Sequence, residues 1–278
     1  MKNKLNITIV GLGLIGGSLA ASLKNVYGTK VSIVGIDNNA RVLKQAAKSG
    51  FFSEVSVLKK SKMITNSRVV FVAAGIDSIP FLFEELGKID FVKKIIITDV
   101  GSVKAKVFKQ ALKKLPITFD FVGGHPIAGT EKTGFQNLVP DLFQGRPVFI
   151  SGTRASKESV SFIKKIWKSL GSLVYSATPE EHDKIFAYLS HMPHVLAFGL
   201  NSLTKKNLSH SKIVKYGGTS YKDYSRISES SEDLWSEIFL SNRKNLIKGI
   251  KDFRKYLDKL ENLLKDDSKD KIQKHLKS

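Results

Sequence analysis

Ile7-Thr8-Ile9-Val10-Gly11-Leu12-Gly13-Leu14-Ile15-Gly16 is the stretch that decides the fold. A short β-favouring run enters three spaced glycines, and Leu19, Ser22 and Leu23 then continue at helical spacing. That order is strand, tight turn, helix. In such a unit the first glycine makes the turn, the second lets the backbone approach a pyrophosphate, and the third lets the helix lie close on the strand, with the helix N-terminus facing the phosphates. Gly11, Gly13, Leu14, Ile15 and Gly16 are therefore the candidate cofactor-binding turn. A glycine triplet alone is a weak signal. Here Val31-Ser32-Ile33-Val34-Gly35-Ile36 reads as a second strand ending in Asp37, 21 residues after Gly16, where an acid would take the adenosine ribose hydroxyls. Its carboxylate would also repel a 2′-phosphate, so the expected cofactor is NAD rather than NADP. Arg41, one helical turn on, is the residue that would blur this preference.

Outward from this unit, short apolar runs alternate with amphipathic segments. Val69-Val70-Phe71-Val72-Ala73-Ala74, Ile95-Ile96-Ile97-Thr98-Asp99, Phe121-Val122-Gly123, Val148-Phe149-Ile150 and Leu173-Val174-Tyr175 read as strands, with helices over 40–49 and 154–169. Continuously apolar strands separated by helices belong to a doubly wound, mostly parallel sheet covered on both faces. The character changes at Thr178-Pro179. Beyond it, 183–203, 234–248 and 251–264 carry apolar residues at helical spacing and no segment reads as a strand. The expected organisation is an α/β Rossmann domain over 1–178 and an all-helical domain over 179–278, with a frayed tail from about Lys265. A helical half without a sheet leaves Leu234, Ile238, Phe239, Leu246 and Ile250 in need of partners, which points to a homodimer built after Pro179.

At 278 residues and 42% hydrophobic, the chain is long enough for two domains with cores. It has no cysteine, which excludes disulfides, thiolate catalysis and cysteine-ligated metals. No apolar run approaches the roughly 18 residues of a membrane span. The apolar stretch after Met1-Lys2-Asn3-Lys4 carries the glycine turn and runs into a helix, unlike a signal peptide, so the expected location is the cytoplasm. The formal net charge is +20, from 38 Lys and 7 Arg against 25 acidic residues, and the excess is spread along the chain. Recognition of bases and phosphates draws on arginine's planar fork, and no nucleic-acid-binding pattern accompanies the lysines, so nucleic acid is not an expected partner. The positive field suits an anionic substrate and cofactor instead.

Candidate chemistry falls at the carboxyl ends of the strands, where α/β sheets bind ligands. Asp99-Val100-Gly101-Ser102-Val103-Lys104 follows one strand, and Gly124-His125-Pro126 follows another. The Ser102 hydroxyl either orients the His125 imidazole through one ring nitrogen, leaving the other for substrate, or caps the following helix; the two roles are compatible. In the helical half, His182-Asp183 and Ser190-His191-Met192-Pro193-His194 lie on or near one long helix. His191 and His194 share a face, but no third ligand at a characteristic spacing accompanies them, so no metal is expected. Arg226 follows Gly217-Gly218 in a polar segment. A loop arginine is ordinarily a solvated charge, and it gains interest only if the substrate is anionic.

Taken together, these segments resemble the prephenate dehydrogenase family of tyrosine biosynthesis. The resemblance runs from Gly11 to about Leu257. It is carried by 11–18, 99–104, Gly123-Gly124-His125-Pro126-Ile127-Ala128-Gly129-Thr130-Glu131-Lys132-Thr133-Gly134, 190–194, Asp223 with Ser225-Arg226-Ile227, and 235–242. It implies a Rossmann domain, a helical dimerisation domain, and oxidative decarboxylation of prephenate to 4-hydroxyphenylpyruvate and carbon dioxide with reduction of NAD. By position in the family pattern, His125 would hold and deprotonate the substrate's ring hydroxyl and Ser102 would orient His125. Arg226 would pair with a substrate carboxylate and His194 would contact the other polar end. Thr130 and Glu131 would line the pocket mouth, where tyrosine binds as a feedback inhibitor in regulated members. Tyr221 stands where phenylalanine is usual, Ser225 where threonine is, and Ser228 replaces a common alanine; these departures touch pocket detail. No fused chorismate mutase or ACT segment is visible, so tyrosine inhibition would act at the active site. The alternatives are arogenate dehydrogenase, with the same chemistry on an amino substrate, and a non-catalytic NAD-binding module, which has no need of His125, Ser102 and Arg226.

Overall fold

A computed structural model of the chain describes residues 4–130, 132–266 and 268–277. The chain forms two compact units. One holds the residues up to Asp183 together with Ser230–Ser241, and the other holds Lys184–Glu229 and the residues from Asn242 onward.

The first unit is built on an eight-stranded sheet. Its strands are β1 (Leu5–Val10), β2 (Val31–Ile36), β3 (Glu54–Ser56), β4 (Val69–Val72), β5 (Ile96–Asp99), β6 (Asp120–Pro126), β7 (Pro147–Arg154) and β8 (Leu173–Ser176), in the spatial order 3-2-1-4-5-6-7-8. Every neighbouring pair is parallel except β6 with β7. The helices of the sheet are α1 (Leu14–Tyr27), α2 (Ala40–Lys48), α3 (Ile79–Gly87), α4 (Ala105–Lys114) and α5 (Lys157–Ser169). Side chains alternate along a strand. Ile7, Ile9, Phe71 and Ile96 thus join Leu19, Leu23 and Trp167 in one apolar layer, while Val10, Val70, Val72 and Ile97 join Phe83 and Phe108 in the other. With both faces covered, the strands have no use for polar alternation, which is why they read as continuous apolar runs. β3 has no counterpart in the sequence reading: three half-buried residues at the sheet edge are too few to show a period.

Beyond the sheet come α6 (Pro179–Phe186), a π-helical turn (Ala187–His191), α7 (Met192–Asn207), α8 (His210–Tyr216), α9 (Thr219–Ser228), α10 (Glu232–Ser241), α11 (Arg243–Lys265) and α12 (Lys269–Leu276). The expected single helix over 183–203 is thus interrupted by a π turn. Pro193, near the start of α7, has no N–H to give the carbonyl four residues back, and the widened turn precedes it. In the second unit α9 lies against α7 through Asn201 Nδ2 to Ser228 Oγ (2.7 Å) and Thr204 Oγ1 to Tyr224 OH (2.9 Å).

Three boundaries differ from the sequence reading. The first unit extends past Thr178 to Asp183 and takes in α10, which packs on the turn at Ile76–Ser78. The helices expected over 234–248 and 251–264 break at Asn242 instead, where the chain passes from one unit to the other. The tail expected to fray is helical: His275 is buried, its Nε2 lies 3.2 Å from the Tyr256 carbonyl, and its ring stacks on Tyr256 at 4.3 Å. One aromatic anchor does what the charge pattern gave no sign of.

Candidate active site

The spatial order of the strands reverses between β1 and β4, the place where doubly wound sheets open a crevice. A cavity of about 460 Å³ lies there, walled by Gly13, Leu14 and Ile15 on one side and by Ser102, His125 and Thr130 on the other. Gly11 has a φ of 93°, and a Cβ on it would run into the Ala73 backbone; a Cβ on Gly16 would strike the Gly11 carbonyl. Around Gly13, by contrast, a Cβ would meet nothing within 4 Å. That open space faces the start of α1, whose N-cap is Gly13 and carries no side-chain cap, so the N-terminal amides are available to an anion. Asp37 stands just past β2, its Oδ2 accepting the Leu12 N–H at 2.8 Å and its Oδ1 the Asn39 N–H at 2.8 Å. The glycine turn is thereby tied to the acid expected to meet a ribose. These features fit a dinucleotide.

On the opposite wall three residues form a chain of hydrogen bonds. His125 Nδ1 lies 2.8 Å from His182 Nε2, and His182 Nδ1 lies 2.9 Å from Asp183 Oδ1. The two imidazoles meet edge to face at 5.0 Å, and Phe149 abuts His182 at 5.8 Å. Asp183 is itself fixed: Oδ1 accepts the Lys104 N–H at 2.7 Å and Oδ2 accepts the Ala105 N–H at 2.9 Å. It thus caps α4 from 79 residues away, and the alternative that Ser102 provides the cap is set aside. His182 and Asp183 are both almost fully buried. Burial pushes the His182 imidazole below its usual range, and the positive charge of Lys104 acts the same way; the hydrogen bond to Asp183 opposes them without prevailing. His182 is therefore neutral. Both Asp183 oxygens accept backbone N–H groups and Oδ1 faces His182 Nδ1, so the proton of the neutral imidazole sits on Nδ1 and its Nε2 carries a lone pair. His125 must then donate from Nδ1, which makes its Nε2 the proton-accepting nitrogen.

Ser102 and Thr130 line the same cavity as His125, and Glu131 lies outside the described residues. Thr130 Oγ1 accepts the Lys132 N–H at 3.2 Å. In the second unit His194 is half-buried, with Nδ1 2.9 Å from the Ser190 carbonyl oxygen; burial lowers its pKa and the Ser190 bond only partly offsets this. His191 Nδ1 faces Asn242 Nδ2 at 3.1 Å. Arg226 is exposed on α9, a helix where the sequence reading had a loop: Gly218 starts the helix, and Tyr221 and Tyr224 turn toward α7. The sequence reading gave His182 and Asp183 no role. The adjacent His-Asp pair was visible, but nothing local says that it meets His125 from 57 residues away.

A doubly wound sheet with a glycine turn, an acid just past β2 and a fixed histidine across the crevice defines a nucleotide-dependent oxidoreductase. Residues 19–176 match the description "Prephenate dehydrogenase, nucleotide-binding domain" and residues 178–278 match "Prephenate dehydrogenase, dimerization domain". The chain belongs to the prephenate dehydrogenase family. It is 29% identical to the prephenate dehydrogenase of Bacillus subtilis over 99% of this chain and 74% of that protein. Among solved structures it is similar to Aquifex aeolicus prephenate dehydrogenase in complex with hydroxyphenyl propionate and NAD+, with TM-score 0.89 and 31% identity over 100% of this chain and 96% of that one. It is also similar to Synechocystis arogenate dehydrogenase, with TM-score 0.81 and 26% identity over 98% and 96% of the two chains.

Proposed function

We propose that this chain catalyses the NAD-dependent oxidative decarboxylation of prephenate to 4-hydroxyphenylpyruvate. The observation that carries the reading is the His125–His182–Asp183 chain, which leaves the His125 imidazole with a lone pair on Nε2 at the cavity wall. Gly11, Gly13, Leu14, Ile15, Gly16 and Asp37 would hold NAD, whose chemistry when bound is to accept a hydride. Prephenate carries that hydrogen on the ring carbon bearing its hydroxyl. As it leaves, the hydroxyl proton passes to His125 Nε2 and the ring carbon becomes a carbonyl. The ring carboxylate departs as carbon dioxide, its bonding electrons complete the aromatic ring, and the resulting phenolate takes the proton back from His125 to give the phenol. Position matters more than base strength here, because aromatisation drives the step. A placed general base contributes roughly 10² to 10⁴ in rate.

Ser102, on the same wall as His125, is assigned to orient the substrate hydroxyl toward Nε2, and so to act on the imidazole only through the substrate, because Nδ1, the nitrogen left for its expected bond, is taken by His182. Arg226 is assigned to a substrate carboxylate, His194 to the other polar end, and Thr130 and Glu131 to the pocket mouth. The chemistry of a dicarboxylate supports these roles, since it asks for a planar cationic fork and neutral donors. The active species is a homodimer through the C-terminal region, in keeping with the dimerisation domain it matches. No helix among the described residues is long and apolar enough to cross a membrane; we assign the enzyme to the cytoplasm, with tyrosine as an inhibitor competing at the active site. The likeness to an arogenate dehydrogenase favours one second reading, the same reaction on the amino analogue. Purified protein incubated with NAD and either prephenate or arogenate, followed by NADH absorbance, tests both. NADH formed with prephenate supports the proposal, NADH with arogenate alone moves it to the second reading, and none with either ends it.

A further inference from the structure

His125 follows a residue, Gly124, that a single buried ion pair grips at both its N–H and its carbonyl. Asp99 closes β5 and Lys104 precedes α4; their side chains are 0% and 1% exposed, and the Lys104 ammonium is bonded to Asp99 Oδ2. The same ammonium donates to the Gly124 carbonyl at 2.7 Å, while Asp99 Oδ1 accepts the Gly124 N–H at 3.1 Å. Asp99 Oδ2 also accepts the Gly101 N–H at 2.9 Å. One pair therefore fastens the residue before His125 and the residue before Ser102. The approach is close enough to demand glycine: a Cβ on Gly124 would come within 2.6 Å of the Asp99 carbonyl oxygen.

A fully buried ion pair is a poor stabilising device, because removing two charges from water cancels most of their attraction and an apolar pair of similar volume often does as well. Charge at this place must serve something an apolar pair would not. The titratable and charged groups of the cluster are Asp99 on β5, Lys104 ahead of α4, His125 on β6, and His182 with Asp183 on α6. Two carboxylates against one ammonium give the cluster a formal charge of one negative. A proton arriving on His125 brings it to zero. Without Lys104, two unmatched carboxylates would keep a proton on the histidines at rest, and without Asp99 the ammonium would oppose the proton's arrival.

We propose that Asp99 and Lys104 are positioning residues of this reaction: they set the peptide that carries His125 and balance the buried charge so that His125 is ready to take a proton rather than already holding one. The inference rests on the reading of His125 as the proton acceptor and extends it to two residues that do not line the cavity. Its test is the pH dependence of kcat for full-length Lys104→Met and Asp99→Asn beside the wild type, with KM for prephenate, NAD affinity by fluorescence, and melting temperature. Both variants should lose at least about tenfold in kcat while KM and NAD affinity stay within about threefold. The acid limb of kcat should move up by roughly one pH unit in Lys104→Met, which loses a positive charge beside the histidines, and down in Asp99→Asn, which loses a negative one. A purely structural role would lower both melting temperatures and leave both limbs in place, and that result overturns the proposal. If Lys104→Met does not fold, the near-isosteric Asp99→Asn decides alone; should it fail to fold as well, the pair serves the fold and the assignment falls. A wild type inactive on prephenate would sink the functional reading, whereas an active wild type with unmoved limbs in the variants sinks this inference only.

Discussion

The two units close their cores differently. In the first, β2, β4 and β5 are buried at every residue, and each face of the sheet meets its own helices. In the second, α8 and α9 bury no residue, and the 23 residues of α11 bury only Leu246 and Gly249. Leu203, Val214, Tyr216, Ile247 and Leu264 all stand more than half exposed there. A sheet sandwiched by helices satisfies its own apolar surface, whereas a thin layer of helices leaves one side of each without a neighbour. The first unit can therefore hold the His125–His182–Asp183 chain in a fixed, largely buried setting, and the second matches a dimerisation domain, whose partner would cover these exposed apolar side chains.

The sharpest way to break this division of labour is at His125. His125→Asn keeps a hydrogen-bonding side chain but no proton acceptor, so kcat should fall by roughly 10² to 10⁴ while KM for prephenate changes little. Near-normal turnover in steady-state assays would take the chemistry away from the first unit. The complementary change in the second unit is Arg226→Ala. It should raise KM for prephenate about thirtyfold, equivalent to about 2 kcal/mol, with kcat and NAD affinity unaltered. Arg226→Lys should recover part of the loss, since an ammonium lacks the two-point fork. An unchanged KM would leave Arg226 a solvated charge.

A smaller effect addresses the unfinished core. The protein should sediment at micromolar concentration as a species of twice 30.8 kDa. Each tenfold dilution should then lower its apparent stability by about 1.4 kcal/mol per dimer, with hydrogen-exchange protection in α8 and α9 lost before that of the sheet. A 30.8 kDa species with a concentration-independent melting temperature would contradict the comparison. The smallest effect belongs to the first unit alone. Burial raises the pKa of Asp120, but hydrogen bonds from Ser159, Lys94 and Ser156 outweigh it and bring it down to about 2. A carboxyl with a depressed folded-state pKa contributes stability that is present above about pH 4 and lost as pH falls toward 2. Allowing for solvent screening, Asp120→Asn should cost about 1 kcal/mol at pH 7 and almost nothing at pH 2. Urea melts at the two pH values give the difference directly.

Some of this was legible in the residues and some was not. The glycine turn, the acid after β2 and the apolar strands are local patterns, and each matches an observed element. Ser102 follows β5 as expected, His125 lies on the last residues of β6 rather than beyond it, and the two do line one cavity. The π turn before Pro193, the break at Asn242 and the return of α10 to the first unit left no mark on the helical period, because that period reports which side of a helix is apolar and not what it is laid against.

By itself the sequence determined the doubly wound sheet, the cofactor turn and the histidine across from it, since each follows from the spacing of residues within a few turns of chain. Only the tertiary structure decided the state of that histidine. Its Nδ1 partner lies 57 residues away, the carboxylate behind that partner caps a helix 79 residues back, and the charge beneath them comes from an ion pair spanning the turn between β5 and α4. A tautomer depends on which atom faces a ring nitrogen, and that is settled by packing in three dimensions rather than by order along the chain.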